Sequence, residues 1–81
     1  MPVNTTKMFD NYANLINMCA VAKDKVGLTH IGAGLRLLAE DHDLRVRKAA
    51  KDALYLARCC YFALDNPTAT VRDIRKNVRP A

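Results

Sequence analysis

The spacing of apolar residues is helical along the whole chain, and this feature limits the fold more than any other. Apolar side chains recur every three or four residues, and no run shows the strict alternation of a half-buried strand. In the first segment the recurring positions are Met8, Tyr12, Leu15, Cys19, Ala22 and Val26. The sequence therefore predicts an all-α fold.

Local start and stop signals divide the chain into four helical segments. These are residues 5–26, 28–42, 44–65 and 68–78. Thr5 or Thr6 is expected to cap the first helix, and Gly27 to end it as a residue that tolerates a positive φ. Asn66-Pro67 is expected to end the third segment, because the residue before proline avoids the helical region.

The second and third segments form either one long helix or two. The glycines at Gly32 and Gly34 weaken a helix, and a break near them is one alternative. Asp41 or Asp43 could instead cap a separate helix that starts at Leu44. The prediction is a small bundle of two long helices, the second continuous or broken, with a short C-terminal helix.

The length of the chain favours self-association. Eighty-one residues form a single domain, 1–81, and a domain of this size buries only about 60% of its unfolded surface. The three cysteines, Cys19, Cys59 and Cys60, are an odd number and a poor disulfide framework. Reduced thiols in a cytosolic compartment are expected, with no leader peptide and no membrane span. We predict a cytoplasmic homodimer with a four-helix arrangement.

The positive charge is concentrated in the second half of the chain. Residues 1–43 carry four cationic and five anionic side chains, whereas residues 44–81 carry nine and three. The two halves therefore have balances of −1 and +6, which together give the net charge of +5. Such asymmetry is typical of proteins that bind nucleic acid or an acidic partner.

One side of the 44–65 helix is lined with small residues. A helical projection places Ala49, Ala50, Ala53, Ala57 and Cys60 on this side. Small side chains let a second helix approach closely. We predict that this side is the dimer interface, with the same helix of a second subunit across a two-fold axis. Packing within the chain is the alternative.

The opposite side of this helix is basic. Arg47, Lys51 and Arg58 lie within about 40° of one another, and Lys48 and Tyr55 are close to them. Phe62 shares this side, and exposed aromatic residues among cations favour a binding surface over a merely solvated one. The tail adds three further candidates for nucleic-acid contact: Arg72, Arg75 and Lys76.

No catalytic or metal-binding pattern is present in the sequence. Glu40, Asp41, His42 and Asp43 are consecutive and point in different directions on a helix, so they cannot converge with His30 on one metal. The chain contains no serine, and Cys59-Cys60 lacks the spacer of zinc and redox motifs. The prediction is a non-enzymatic protein without a cofactor or small-molecule substrate.

The order of segments resembles that of the B2 proteins of nodaviruses, which are small helical dimers that bind double-stranded RNA. The shared features are a Met-Pro start, a first helix of about twenty residues, a long basic helix, and the turn Leu64-Asp-Asn-Pro67-Thr68 before a short helix. Counted back from Pro67, Arg58 and Lys51 fall where that family places an RNA-contacting arginine and lysine.

The resemblance implies a viral suppressor of RNA silencing in the host-cell cytoplasm. It would bind double-stranded RNA through phosphates, without regard to base sequence, and shield the duplex from a processing nuclease. The competing interpretation is a small regulator or inhibitor that binds an acidic host protein. That partner would contact the same basic helix or the C-terminal tail.

Overall fold

A computed structural model describes residues 4–80, and within them the chain is helical with no strand. The Met1-Pro2 start used in the resemblance lies outside the described residues. The four helices, in chain order, are α1 (Thr5–Val21), α2 (Lys25–Leu38), α3 (Leu44–Asp65) and α4 (Val71–Asn77). The predicted all-α class is therefore confirmed.

The core forms where α1 and α2 pack on α3 and on each other. Ile16 of α1 and Leu35 of α2 have no exposed surface and lie at its centre. The other members of the core cluster are Leu28, Ala50, Ala53, Leu54 and Ala57. The short helix α4 contacts α3 outside this cluster. The long helix α3 is thus the element on which the other three are arranged.

The boundary between α1 and α2 differs from the prediction. The first helix ends at Val21 rather than at residue 26, and Lys23 takes the left-handed conformation, with φ 55°, that was expected at Gly27. Asp24 then caps α2, because its side chain accepts a hydrogen bond from the backbone N–H of Gly27 at 2.8 Å. Val26 continues the apolar spacing of α1 but belongs to the next helix.

The start of α1 also differs from the prediction. Asn4, rather than Thr5 or Thr6, is the N-cap, and its side chain accepts a hydrogen bond from the N–H of Lys7 at 3.0 Å. Asparagine is preferred over threonine as an N-cap, which accounts for the difference.

The second helical segment and α3 are separate helices, and the break covers residues 39–43, which include the predicted position at Asp41 to Asp43. The helix α2 occupies Lys25–Leu38 instead of residues 28–42 and passes through both Gly32 and Gly34 without interruption. The side chain of Asp43 caps α3 by accepting a hydrogen bond from the N–H of Arg45 at 2.9 Å.

The ends of α3 are those that the sequence predicted, Leu44 and Asp65. The last helix is shorter than the predicted 68–78 and covers Val71–Asn77. It begins with a capping box. Thr70 accepts from the N–H of Asp73 at 3.2 Å, and the Asp73 carboxylate accepts from the N–H of Thr70 at 3.0 Å.

The alanine side of α3 is covered by α1 and α2 of the same chain. Ala50 and Ala53 are fully buried, Ala57 is 4% exposed and Ala49 is 9% exposed, without a second subunit. Packing within the chain, the alternative interpretation of this side, therefore accounts for its small residues. The homodimer stays a prediction, and a contact through these alanines would require α1 or α2 to move away.

Candidate nucleic-acid interface

The α3 helix turns its basic side away from the core, as the helical projection requires. Lys51 is exposed and Arg58 is half-buried. The two residues are two turns apart, or about 10 Å along the helix axis. Neither forms an ion pair with another residue in the described range 4–80. Their positive charges are therefore available to an external anion.

Arg47 is on the same side of α3 but is already engaged. Its guanidinium donates two hydrogen bonds to the backbone carbonyl of Asp41, from Nε at 3.2 Å and from Nη2 at 3.0 Å. The backbone N–H of Asp43 also donates to the Asp41 carboxylate, at 2.8 Å. The Arg47 side chain therefore holds the loop between α2 and α3, which makes it a structural residue first.

Lys48 has an ion-pair partner one turn along α3. Its ammonium nitrogen lies 3.4 Å from the carboxylate of Asp52, and both side chains are more than half exposed, at 79% and 55%. Exposed pairs of this kind contribute little to stability and exchange readily with other partners. Lys48 can thus still contact an anion, at the edge of the surface that contains Lys51.

The aromatic residues on the outer side of α3 are less exposed than predicted. Tyr55 and Phe62 are half-buried. The Cys59 thiol beside the Tyr55 hydroxyl raises the pKa of this tyrosine, and Arg75 of α4 is close enough to oppose the shift. The outer side of α3 is therefore partly covered, and Tyr55 is only partly exposed to solvent.

The short helix α4 contributes three further cations. Arg72, Arg75 and Lys76 are all exposed, and α4 contacts α3. We call the five residues Lys51, Arg58, Arg72, Arg75 and Lys76 the α3–α4 basic surface. In the part of the chain that the structure describes, none of them has an ion-pair partner.

Cys60, which was predicted to lie in the dimer interface, packs within the single chain. It is half-buried, and it packs against the core cluster. Burial raises the pKa of the Cys60 thiol, and a negative charge on the adjacent Cys59 would raise it further. The thiol form is thus favoured, and Cys60 is a packing residue in the single chain.

The sequence analysis missed a groove between α2, α3 and the segment after α4. It encloses about 600 Å³, and it is bordered by Arg36, Arg58 and Arg79. Tyr61 is 38% exposed and lines this groove, and the Lys25 ammonium lies 5.7 Å from the centre of its ring. The groove was difficult to predict from the sequence, because it forms only when the segment around Val78 folds back onto α3.

Two further properties bear on what the surface can bind. Over residues 4–80, no three histidine, cysteine or acidic side chains come together in a way that could hold a metal ion. Within the same residues, none of the helices combines the length and the apolar character needed to cross a membrane.

Searches against protein-family models, curated proteins and solved structures find no match to this chain.

Proposed function

We propose that this protein binds nucleic acid, most favourably double-stranded RNA, through the α3–α4 basic surface and without regard to base sequence. The observation that carries the proposal is the pair formed by Lys51 and Arg58. They lie two turns apart on one side of a rigid helix and have no ion-pair partner within residues 4–80. Cations held at fixed spacing on a helix suit a regular row of phosphates.

The shape of the surface favours a duplex over a single strand. Single strands are bound by stacking their bases on exposed aromatic rings, and the aromatic side chains at this surface, Tyr55 and Phe62, are half-buried. A-form RNA has a wide, shallow minor groove that is recognised by shape through phosphates and 2′-hydroxyls. A helix that presents cations but few stacking rings fits that mode of recognition.

The silencing role follows from this mode of binding and from the resemblance to nodavirus B2 proteins. A protein that covers duplex RNA irrespective of sequence would keep a processing nuclease from its substrate. Two copies arranged as a homodimer would double the number of phosphate contacts and lengthen the covered stretch. The dimer is part of this proposal, and its subunit contact would lie outside the alanine side that α1 and α2 cover.

A gel-shift titration tests the proposal with matched RNA and DNA duplexes of about 20 base pairs at two salt concentrations. The expected result is salt-sensitive binding to the RNA duplex for unrelated base sequences, with weaker binding to the DNA. The Lys51→Ala and Arg58→Ala variants should each weaken binding to every duplex alike and reduce the salt slope by about 1.

Lys7→Ala is the matched control. It removes one positive charge from an exposed position of α1, a helix that contributes no residue to the α3–α4 basic surface, and should leave the salt slope unchanged. Equal losses in Lys7→Ala and Lys51→Ala would mean that net charge alone attracts the RNA. Unchanged affinity in the Lys51→Ala, Arg58→Ala double variant would remove the site assignment.

The second candidate is a regulator that binds an acidic protein through α4. The observation in its favour is Val71, which is 66% exposed beside Arg72 at the start of α4. An exposed apolar side chain among cations is typical of a protein contact. Such binding would show no preference for A-form over B-form duplexes, and Val71→Asp would weaken it while leaving RNA affinity nearly unchanged.

A further inference from the structure

The groove between α2 and α3 has an apolar floor. We call it the α2–α3 groove. Leu28, Leu54, Ala57 and Val78 line it, and each of these side chains is at most 7% exposed. The volume of about 600 Å³ lies in the range that small ligands occupy in proteins. Its floor offers hydrocarbon contact to whatever enters.

The rim of the groove is positively charged. Arg36 of α2, Arg58 of α3 and Arg79 after α4 border it from three separate segments. None of these three guanidinium groups forms an ion pair with a residue between 4 and 80. The acidic side chain that lines the groove, Asp65, is paired with Lys25. An occupant with a negative end would therefore meet uncompensated positive charge.

Gly32 leaves part of the floor empty. A Cβ atom at this position would have only one neighbour, the Cδ1 atom of Leu54 at 3.7 Å, which is an ordinary van der Waals contact. The glycine is thus not required for close packing of α2 against α3. Its effect is to keep the groove open between the two helices.

We propose that the α2–α3 groove binds a single-chain amphiphile with an anionic headgroup, such as a fatty-acid carboxylate or an alkyl phosphate. The hydrocarbon chain lies over the apolar floor, and the headgroup accepts hydrogen bonds from arginines of the rim. Arginine is suited to this because its planar guanidinium binds carboxylate and phosphate oxygens in pairs. The inference goes beyond RNA binding and does not depend on it.

The dimensions of the groove favour a thin chain over a peptide helix. The wall contributed by α2 extends from Leu28 to Arg36, or about 12 Å along the axis, and the wall contributed by α3 extends from Leu54 to Asp65, or about 16 Å. That length accommodates only two to three turns of a helix, and so short a helix is not stable by itself in water. A helix with its side chains is also about 10 to 12 Å wide, whereas an alkyl chain is much narrower.

Calorimetric titration of the full chain with laurate, kept below the concentration at which it forms micelles, tests the proposal. Octanoate and decanoate provide a series in which each buried methylene should change affinity by about fourfold. Dodecanol has the hydrocarbon chain without the charge and should bind at least tenfold more weakly. Dodecyl phosphate, run in parallel, distinguishes a preference for phosphate from one for carboxylate, and tight binding of either supports the proposal.

Variants locate the site independently of the RNA surface. Arg36→Gln combined with Arg79→Gln should weaken laurate binding by about tenfold or more, because both residues border the groove but lie outside the α3–α4 basic surface. Gly32→Leu should block the groove, and circular dichroism checks that this variant stays folded. Lys51→Gln is the matched control, which should lose RNA affinity and keep laurate affinity.

Three results would overturn the proposal. One is laurate affinity that does not depend on chain length. Another is unchanged affinity in both the double arginine variant and the folded Gly32→Leu variant. The third is groove-dependent binding of an acidic amphipathic peptide with no binding of laurate, which would assign the groove to a protein partner. Each result leaves the RNA titration unaffected, so the two proposals fail separately.

Discussion

At the residue scale, the three glycines of α2 have different structural roles. Gly27 lies in the first turn, where a Cβ atom would come within 2.5 Å of the Asp24 carboxylate and 2.8 Å of the Cys19 sulfur. Gly34 has no atom within 4 Å of the same position. Gly27 is thus required for space next to the helix cap, not for the positive φ that the sequence analysis assigned to it.

This difference predicts opposite effects of adding a methyl group. Gly34→Ala should raise the free energy of unfolding by about 1 kcal/mol, because alanine is the better helix former. Gly27→Ala should lower it by about 1 to 2 kcal/mol, because overpacking and the disturbed Asp24 cap outweigh the same gain. Urea unfolding followed by circular dichroism measures both. Stabilisation by Gly27→Ala as large as that by Gly34→Ala would show that the space argument is wrong.

The Asp43 helix cap should make the stability of the protein depend on pH, and only at acidic pH. Hydrogen bonds from the Arg45 side chain and backbone hold the pKa of this carboxyl below its usual value of 3.8. Because the pKa is lowered on folding, the stabilisation is present above the unfolded value and is lost as pH falls through the folded one. Asp43→Ala should therefore lower the Tm by about 4 to 8 °C at neutral pH, and this difference should shrink below pH 4.

Asp43→Asn is the control for this prediction. Asparagine caps a helix about as well as aspartate but does not titrate in this range, so its Tm should exceed that of Asp43→Ala by a margin that does not change with pH. A difference between wild type and Asp43→Ala that stays constant down to pH 2 would contradict an ionised cap.

At the element scale, the ends of α3 were predictable because their signals are local. Asp43 precedes the helix and Asn66-Pro67 follows it, and both act through their immediate neighbours in the chain. The boundary between α1 and α2 was not predictable in the same way. Val26 continues the apolar spacing of α1, so a cap at Asp24 competed with a periodic pattern that extended beyond it.

The candidate site was predictable only in part, for a similar reason. The positions of Lys51 and Arg58 on the outer side of α3 follow from helical geometry. Tyr55 is half-buried although it lies on the outer side, and the engagement of Arg47 depends on a loop carbonyl six residues earlier. No periodicity within α3 contains information about either feature.

Arg47 therefore provides a test that separates structure from binding. Arg47→Ala removes two hydrogen bonds to the Asp41 carbonyl and should lower the free energy of unfolding by about 1 kcal/mol. It should leave the salt slope of RNA binding nearly unchanged, in contrast to Lys51→Ala. Denaturation and gel shifts on the same two variants measure this contrast. A reduced salt slope in folded Arg47→Ala would return Arg47 to the RNA contacts.

At the scale of the whole molecule, the small residues on one side of α3 require a neighbouring helix that packs closely against them. The periodicity of the sequence does not say whether that helix belongs to the same chain or to a second one. In the structure α1 and α2 supply it. The interpretation from size, that an 81-residue domain gains from association, is independent of this side and stays a prediction.

Ala53 tests whether the small side of α3 packs within one chain or forms the subunit contact, because this residue is fully buried within one chain. Ala53→Leu should lower the free energy of unfolding by about 1 to 3 kcal/mol through overpacking. If the contact is within the chain, this loss will be the same at low and high protein concentration. A dimer formed elsewhere would raise the Tm of wild type and variant together as concentration increases, since association stabilises by mass action. Thermal unfolding over a hundredfold concentration range measures both effects, and a loss that varies with concentration would place Ala53 in the subunit contact.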